Sequence, residues 1–216
     1  MALAPALLYV QMNPPPGAEQ AFDAWYDDHM AVRLGMPGFL NAQRYRTVDP
    51  DGPRHLACYD LADASALSSP EYLALREREA ESPRDREIRA IIPFVERRLY
   101  RSIDTDEPWA VPWNEHAPFV MSVALEPRPD QVDDFHAWYR EEHSPMLMRA
   151  NGWRRIRRYE QVEGNGPPFM ALHELESLGG FETDAYRAAT STPWCERVID
   201  TIVRRERLRF ELIRGA

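Results

Sequence analysis

The chain repeats itself. Phe22, Ala24, Trp25 and Tyr26 return 113 residues later as Phe135, Ala137, Trp138 and Tyr139. Acids and a histidine follow each set, Asp27, Asp28 and His29 in the first and Glu141, Glu142 and His143 in the second. Nine residues past each histidine stands a glycine, Gly38 or Gly152. Arg44 and Tyr45 then match Arg158 and Tyr159, and Gly52 and Pro53 match Gly166 and Pro167. From the histidine onward the offset is 114, so the second copy holds one more residue between its tryptophan and its histidine. A register kept over this many positions identifies a tandem duplication. Both halves must therefore share one fold.

Each half reads as β-α-β-β-α-β. Short apolar runs at 7–12 and 119–125 predict first strands. Proline-rich breaks lead into helices over 19–34 and 131–149, with Phe135, Trp138, Tyr139, Glu142 and His143 spaced along one face. Second strands are expected at 39–48 and 153–162. Turns at 49–52 and 163–166 lead to third strands at 55–61 and 169–175. A helical region and a last strand (94–103, 208–213) close each unit. This order is the ferredoxin-like split unit. Its sheet has one face covered by helices and one apolar face left open, so two such sheets pack face to face. The expected fold is α+β, two ferredoxin-like repeats (1–103 and 118–216) joined by a linker at 104–117 into an intramolecular dimeric α/β barrel. The chain would then be a monomer or a homodimer; pairing of each half with a half of another chain is the alternative.

The net charge of −9 argues against nucleic acid or an anionic membrane as a partner. All 26 basic residues are arginine, so no lysine can form a Schiff base and lysine-dependent carbonyl chemistry is excluded. Cys58 and Cys195 lack metal-ligand or redox spacing and read as buried thiols. The opening residues show no basic leader region, no stretch approaches bilayer length, and a cytoplasmic location is expected. No phosphate-binding loop, dinucleotide turn, nucleophile elbow or metal-ligand cluster appears.

The run from Trp25 and Tyr26 through His29 and Met36-Pro37-Gly38-Phe39 to Arg44 and Tyr45 resembles the EthD-like branch of the dimeric α/β-barrel superfamily, once per half. The second copy departs from the pattern with Asn151, Gly152 and Trp153, and the first is a residue short before its histidine. The halves have therefore diverged in role. The resemblance implies several activities: cofactor-independent monooxygenases, muconolactone-type isomerases, polyketide cyclases and haem-binding enzymes. It leaves a haem open through one axial histidine, with no other cofactor and no metal.

Four residues are the candidate catalysts. His143, beside Glu142 at the end of a helix, is expected to hold a proton readily. His29, beside Asp28, carries the same argument. His173 and its counterpart Tyr59 lie on the third strands, at positions that would point into the barrel. Glu174 and Asp60, the next residues along, would face the other way. Arg44 and Arg158 would bind a substrate carboxylate or pair with the acids ending the first helix, while Trp25, Tyr26, Trp138 and Tyr139 would line the substrate. His55, His116 and His136 are expected at the surface. The run Arg154 to Arg158 reads as a solvated strand with internal ion pairs. Together these residues point to an enzyme using histidine and tyrosine acid–base chemistry (isomerase, cyclase or lyase) on a small aromatic or polyketide-like metabolite. A cofactor-independent monooxygenase and a non-catalytic binding or accessory protein are the alternatives.

Overall fold

The computed structural model describes residues 4–92, 94–103 and 116–215, with the side chains of Phe94 and Val95 also left out. Most of the expected linker, 104–115, lies outside the described residues.

Eight strands form one closed antiparallel barrel. The first repeat supplies β1 (Ala6–Asn13), β2 (Phe39–Thr47), β3 (His55–Leu61) and β4 (Phe94–Ser102). The second supplies β5 (Phe119–Pro127), β6 (Trp153–Glu163), β7 (Phe169–Leu175) and β8 (Ile202–Gly215). Each sheet has the ferredoxin-like order, last-first-third-second. The sheets join within this one chain, β2 against β8 and β4 against β6. The last strand is longer than expected because two neighbours pair with successive parts of it, β5 with Ile202 to Glu211 and β2 with Phe210 to Gly215.

Helices cover the outside of each sheet. In the first repeat these are α1 (Glu19–Leu34), α2 (Pro70–Glu81) and α3 (Pro83–Ile91). In the second they are α4 (Val132–Trp138), α5 (Ser144–Leu147), α6 (Asp184–Ala189) and α7 (Pro193–Ile199). The α1 face that meets the sheet carries Phe22, Trp25, Tyr26, Met30 and Arg33, at spacings of three and four. Ser69 and Thr183 cap α2 and α6 at matching positions, each accepting from the backbone N–H of a tyrosine three residues on.

The single long helix expected over 131–149 is interrupted. Tyr139–His143 forms a π-helical turn between α4 and α5, whereas α1 runs unbroken. A π turn is how a helix absorbs one inserted residue. The change of offset from 113 to 114 falls inside it.

Side chains fill the barrel. Tyr9, Tyr45, Tyr100, Tyr159 and Phe210 pack there with Leu56, Cys58 and Leu172, all essentially without solvent exposure. Tyr9 Oη and Ser122 Oγ hydrogen-bond across the repeats at 3.0 Å. Asp60 and Glu174 also point inward. Arg157 Nη1 donates to Asp60 Oδ1 at 2.5 Å, Arg157 Nε lies 2.9 Å from Glu174 Oε1, and Arg155 Nη2 donates to Glu174 Oε1 at 2.7 Å. The expected solvated strand at 154–158 is therefore corrected: its ion pairs are internal, but Arg155, Arg157 and Arg158 are buried. Arg157 and Asp60 come from different repeats, so this pair ties the two sheets together.

Candidate functional site

With tyrosines filling the barrel, room for a ligand lies outside it, between each sheet and its helices. His173 and Tyr59 belong to this outer layer. That corrects the expectation that they point into the barrel; strand alternation sends Glu174 and Asp60 there instead. Two pockets result, one per repeat and related by the duplication. The first is about 260 Å³, lined by Trp25, Tyr26, His29 and Tyr59 among others. The second is about 270 Å³, lined at matching positions by Trp138, Tyr139, His143 and His173.

The second pocket is built by local backbone features. Gly152, at φ +98°, turns the chain from α5 into β6. A bulge then falls between Trp153 and Arg155, so that Trp153 faces the helices while Arg155 faces the barrel. This aims the indole at β7, and Trp153 Nε1 donates to His173 Nδ1 at 3.2 Å. The π turn places His143 against Trp138, rings stacked at 4.1 Å, with its Nδ1 3.1 Å from the carbonyl oxygen of Ala189 at the end of α6.

These two hydrogen bonds fix the tautomers. A carbonyl only accepts, so His143 Nδ1 carries its proton and its Nε2 keeps a lone pair. An indole N–H only donates, so His173 Nδ1 is bare and the proton of the neutral ring sits on Nε2. Neither Nε2 has a partner among the described residues. Burial holds both rings neutral: it pushes His143 down to about 4, against the opposing effect of the Ala189 carbonyl. His173 is pushed down to about 3, by burial and then by His143 and Arg207. The pocket thus holds one proton acceptor and one proton donor, set by geometry. The expected protonated His143 is corrected: it is buried, and Glu142 turns away to accept from Thr192 Oγ1 at 2.5 Å. Cys195, also lining the pocket, is pushed up to about 11 and stays a thiol.

The first pocket has a different chemistry. Tyr59 stands where His173 does and donates to Tyr26 Oη at 3.3 Å. Burial raises both phenols, so both keep their protons and neither is present as a phenolate that could act as a base. His29 lies 3.4 Å from Glu79 rather than pairing with Asp28, which binds Arg84. Glu79 accepts both prongs of the Arg33 fork, at 2.7 and 3.0 Å, and also Arg89 Nη2 at 2.6 Å. His29, Glu79 and Asp85 bring possible ligand atoms within 4.8 Å of one another. Two guanidiniums already occupy Glu79, and the Trp25 indole donates to Asp85 at 2.8 Å, which disfavours a metal there.

The remaining candidates fall elsewhere. Arg44 is buried against two acids within α1, Asp23 at 2.5 Å and Asp27 at 3.3 Å, rather than against acids at that helix's end, and lies over the Tyr26 ring. Arg158 lies over the Tyr139 ring and bonds to His136. Neither lines the two pockets described above. His55, expected at the surface, is buried against Phe22, and His116 and His136 are half-buried. Sequence reasoning missed Trp153 as a partner of His173 and Ala189 as a partner of His143. The first had a signal: where Phe39 meets Tyr59 edge-on, the second copy changes both residues together, to Trp153 and His173.

A haem does not fit the second pocket. Its 270 Å³ lies at the lower edge of small-ligand sites, which begin at roughly 300 Å³. Stacking on Trp138 covers one face of the His143 ring.

No family model matches the chain, and no curated protein does. Solved structures do. An anthrone oxidase-like protein matches with a TM-score of 0.64 and 13% identity, covering 100% of this chain and 92% of its own. A protein provisionally described as a monooxygenase from Lactobacillus acidophilus matches at 0.62 and 11%, covering 99% and 96%. A chlorite dismutase from Candidatus Nitrospira defluvii matches at 0.61 and 10%, covering 97% and 91%. At these identities the likeness establishes the fold alone, a closed barrel of two ferredoxin-like halves. No described helix is long and apolar enough to cross a membrane.

Proposed function

We propose that the second pocket is the active site of a cofactor-independent monooxygenase within the EthD-like branch, acting on a small aromatic substrate with an acidic C–H bond beside a carbonyl. The tautomer-locked pair of His143 and His173 carries this reading. His143 Nε2 takes the carbon-bound proton as general base. His173 Nε2–H donates to the carbonyl oxygen as negative charge gathers there. The resulting enolate is electron-rich enough to reduce dioxygen without a metal. Its carbon bonds to one oxygen, and the proton held by His143 goes to the other, giving a hydroperoxide. Loss of the second C–H proton with cleavage of the O–O bond then leaves a ketone and one water, so a CH₂ and O₂ become C=O and H₂O.

The neighbouring folds support oxygenation over the isomerase, cyclase and lyase outcomes, since two of the three are described as an oxidase-like protein and a monooxygenase. The pocket's wall of Trp138, Tyr139, Met121 and Leu125 suits a planar apolar ring. The test is oxygen uptake with anthrone as the probe. One O₂ consumed per ketone formed, lost at least a hundredfold in His143→Ala, is the expected result. Conversion without oxygen uptake would move the reading to an isomerase or cyclase, and absence of any conversion with anthrone would overturn it.

A further inference from the structure

We propose that the first pocket is a second ligand site, and that it takes a small aromatic carboxylate. The duplication supplies the comparison. Arg33 and Arg76 line the first pocket, and their counterparts 114 residues on are Leu147 and Thr190. From the helix caps Ser82 and Thr192 onward the offset is 110, which matches Arg89, also in the first pocket, with Ile199 and Arg97 with Arg207. Arg97 and Arg207 are shared. At three positions the first copy holds a guanidinium where the second holds none, and its pocket carries four arginines against Arg205 and Arg207 in the second, around cavities of nearly equal size.

These charges are only partly answered. Arg33 and Arg89 share the single carboxylate of Glu79, while Arg97 pairs with Glu163 at 2.5 Å. Arg76 has no ion-pair partner among the described residues, and it lies on the exposed face of α2 beside the opening. The surplus is felt by His29. Burial holds it well below its ordinary value, and Arg33, Arg89 and Arg76 add to that effect, although Glu79 lies only 3.4 Å away. A planar anion is what such a surface recognises, because guanidinium forks match carboxylate geometry. Behind the cations the wall is apolar and aromatic, with Leu8, Met12, Tyr26 and Tyr59, so the anion should carry a ring.

The experiment is calorimetric titration of the intact protein with 2-naphthoate, and with 2-naphthamide as its uncharged counterpart. Naphthoate should bind at least tenfold more tightly than the amide, and binding should weaken as salt is raised. Arg76→Gln, at an exposed position the fold does not need, should weaken it about tenfold. Arg207→Gln and His143→Ala, both in the second pocket, should leave it unchanged, which separates this site from the proposed catalysis. Equal affinity for the two probes, no effect of Arg76→Gln, loss of binding in Arg207→Gln, or no binding of naphthoate would each overturn the proposal.

Discussion

Replacing Trp153 by phenylalanine gives the second repeat the residue that the first has at Phe39, and the structure sets what should follow. The ring stays on the same wall of the pocket, but the indole N–H that holds His173 Nδ1 at 3.2 Å is gone. His173 is only 1% exposed, so that nitrogen is left buried without a donor. An unsatisfied buried acceptor costs about 1–3 kcal/mol, and the smaller ring leaves a void that adds to it. Unfolding in urea should therefore show a loss of roughly 2–3 kcal/mol, or about 5–10 °C in Tm for a chain of this size. The catalytic effect is separate. Without the indole, the His173 proton can move to Nδ1, and the Nε2–H that faces the substrate oxygen is lost from part of the population. Removing an oxyanion donor outright costs about 10²–10³ in kcat. Partial loss should cost about tenfold, with KM within twofold because ring packing is retained. A Trp153→Phe protein of unchanged kcat would refute the assignment of Trp153 as a positioning residue, whatever its stability.

Three further outcomes follow from the same geometry. Asp60→Asn leaves the buried Arg157 short of one charge partner and should cost about 3 kcal/mol, while Asp60→Leu with Arg157→Met should return to within about 1 kcal/mol of the parent. A single-variant loss under about 0.5 kcal/mol in urea unfolding would show that the pair does not clamp the two sheets. His143 and His173 are lowered in the folded state, so the unfolded chain binds protons first and their contribution is intact above about pH 6.5 and lost as the pH falls toward 4 and 3. Each should remove about 2 kcal/mol by pH 5; a double His→Gln variant whose stability falls as steeply from pH 7 to 5 would contradict this. The catalytic rate should hold down to about pH 5, and a fall centred on the ordinary imidazole value of 6.5 would mean that the base is a solvated histidine.

Much of the fold was legible. Strands at 55–61 and 169–175 and the helix at 19–34 stand where the pattern placed them, since their ends are marked by turn residues and a glycine. The faces of the strands were not legible. Every residue of β3 is buried, because one side meets helices and the other meets the opposite sheet, so polarity does not alternate. That is why His173 and Tyr59 could be assigned to the barrel when they belong to the helix layer. The π turn was visible only as a one-residue change of offset, which fixes where an insertion lies but not that it turns His143 onto Ala189. That contact needs a backbone carbonyl, which has no sequence signature. The charge difference between the two pockets was open to inspection in the aligned halves, but it acquires meaning only once α2 and α3 are placed over the sheet.

The account turns on two neutral imidazoles of opposite tautomer in one pocket. Nitrogen chemical shifts of histidine-labelled protein between pH 5 and 8 read this directly. His143 should show a protonated Nδ1 and a bare Nε2, His173 a bare Nδ1 and a protonated Nε2, and neither should titrate in that range. Two rings of the same tautomer, or either one titrating near pH 6.5, would contradict it.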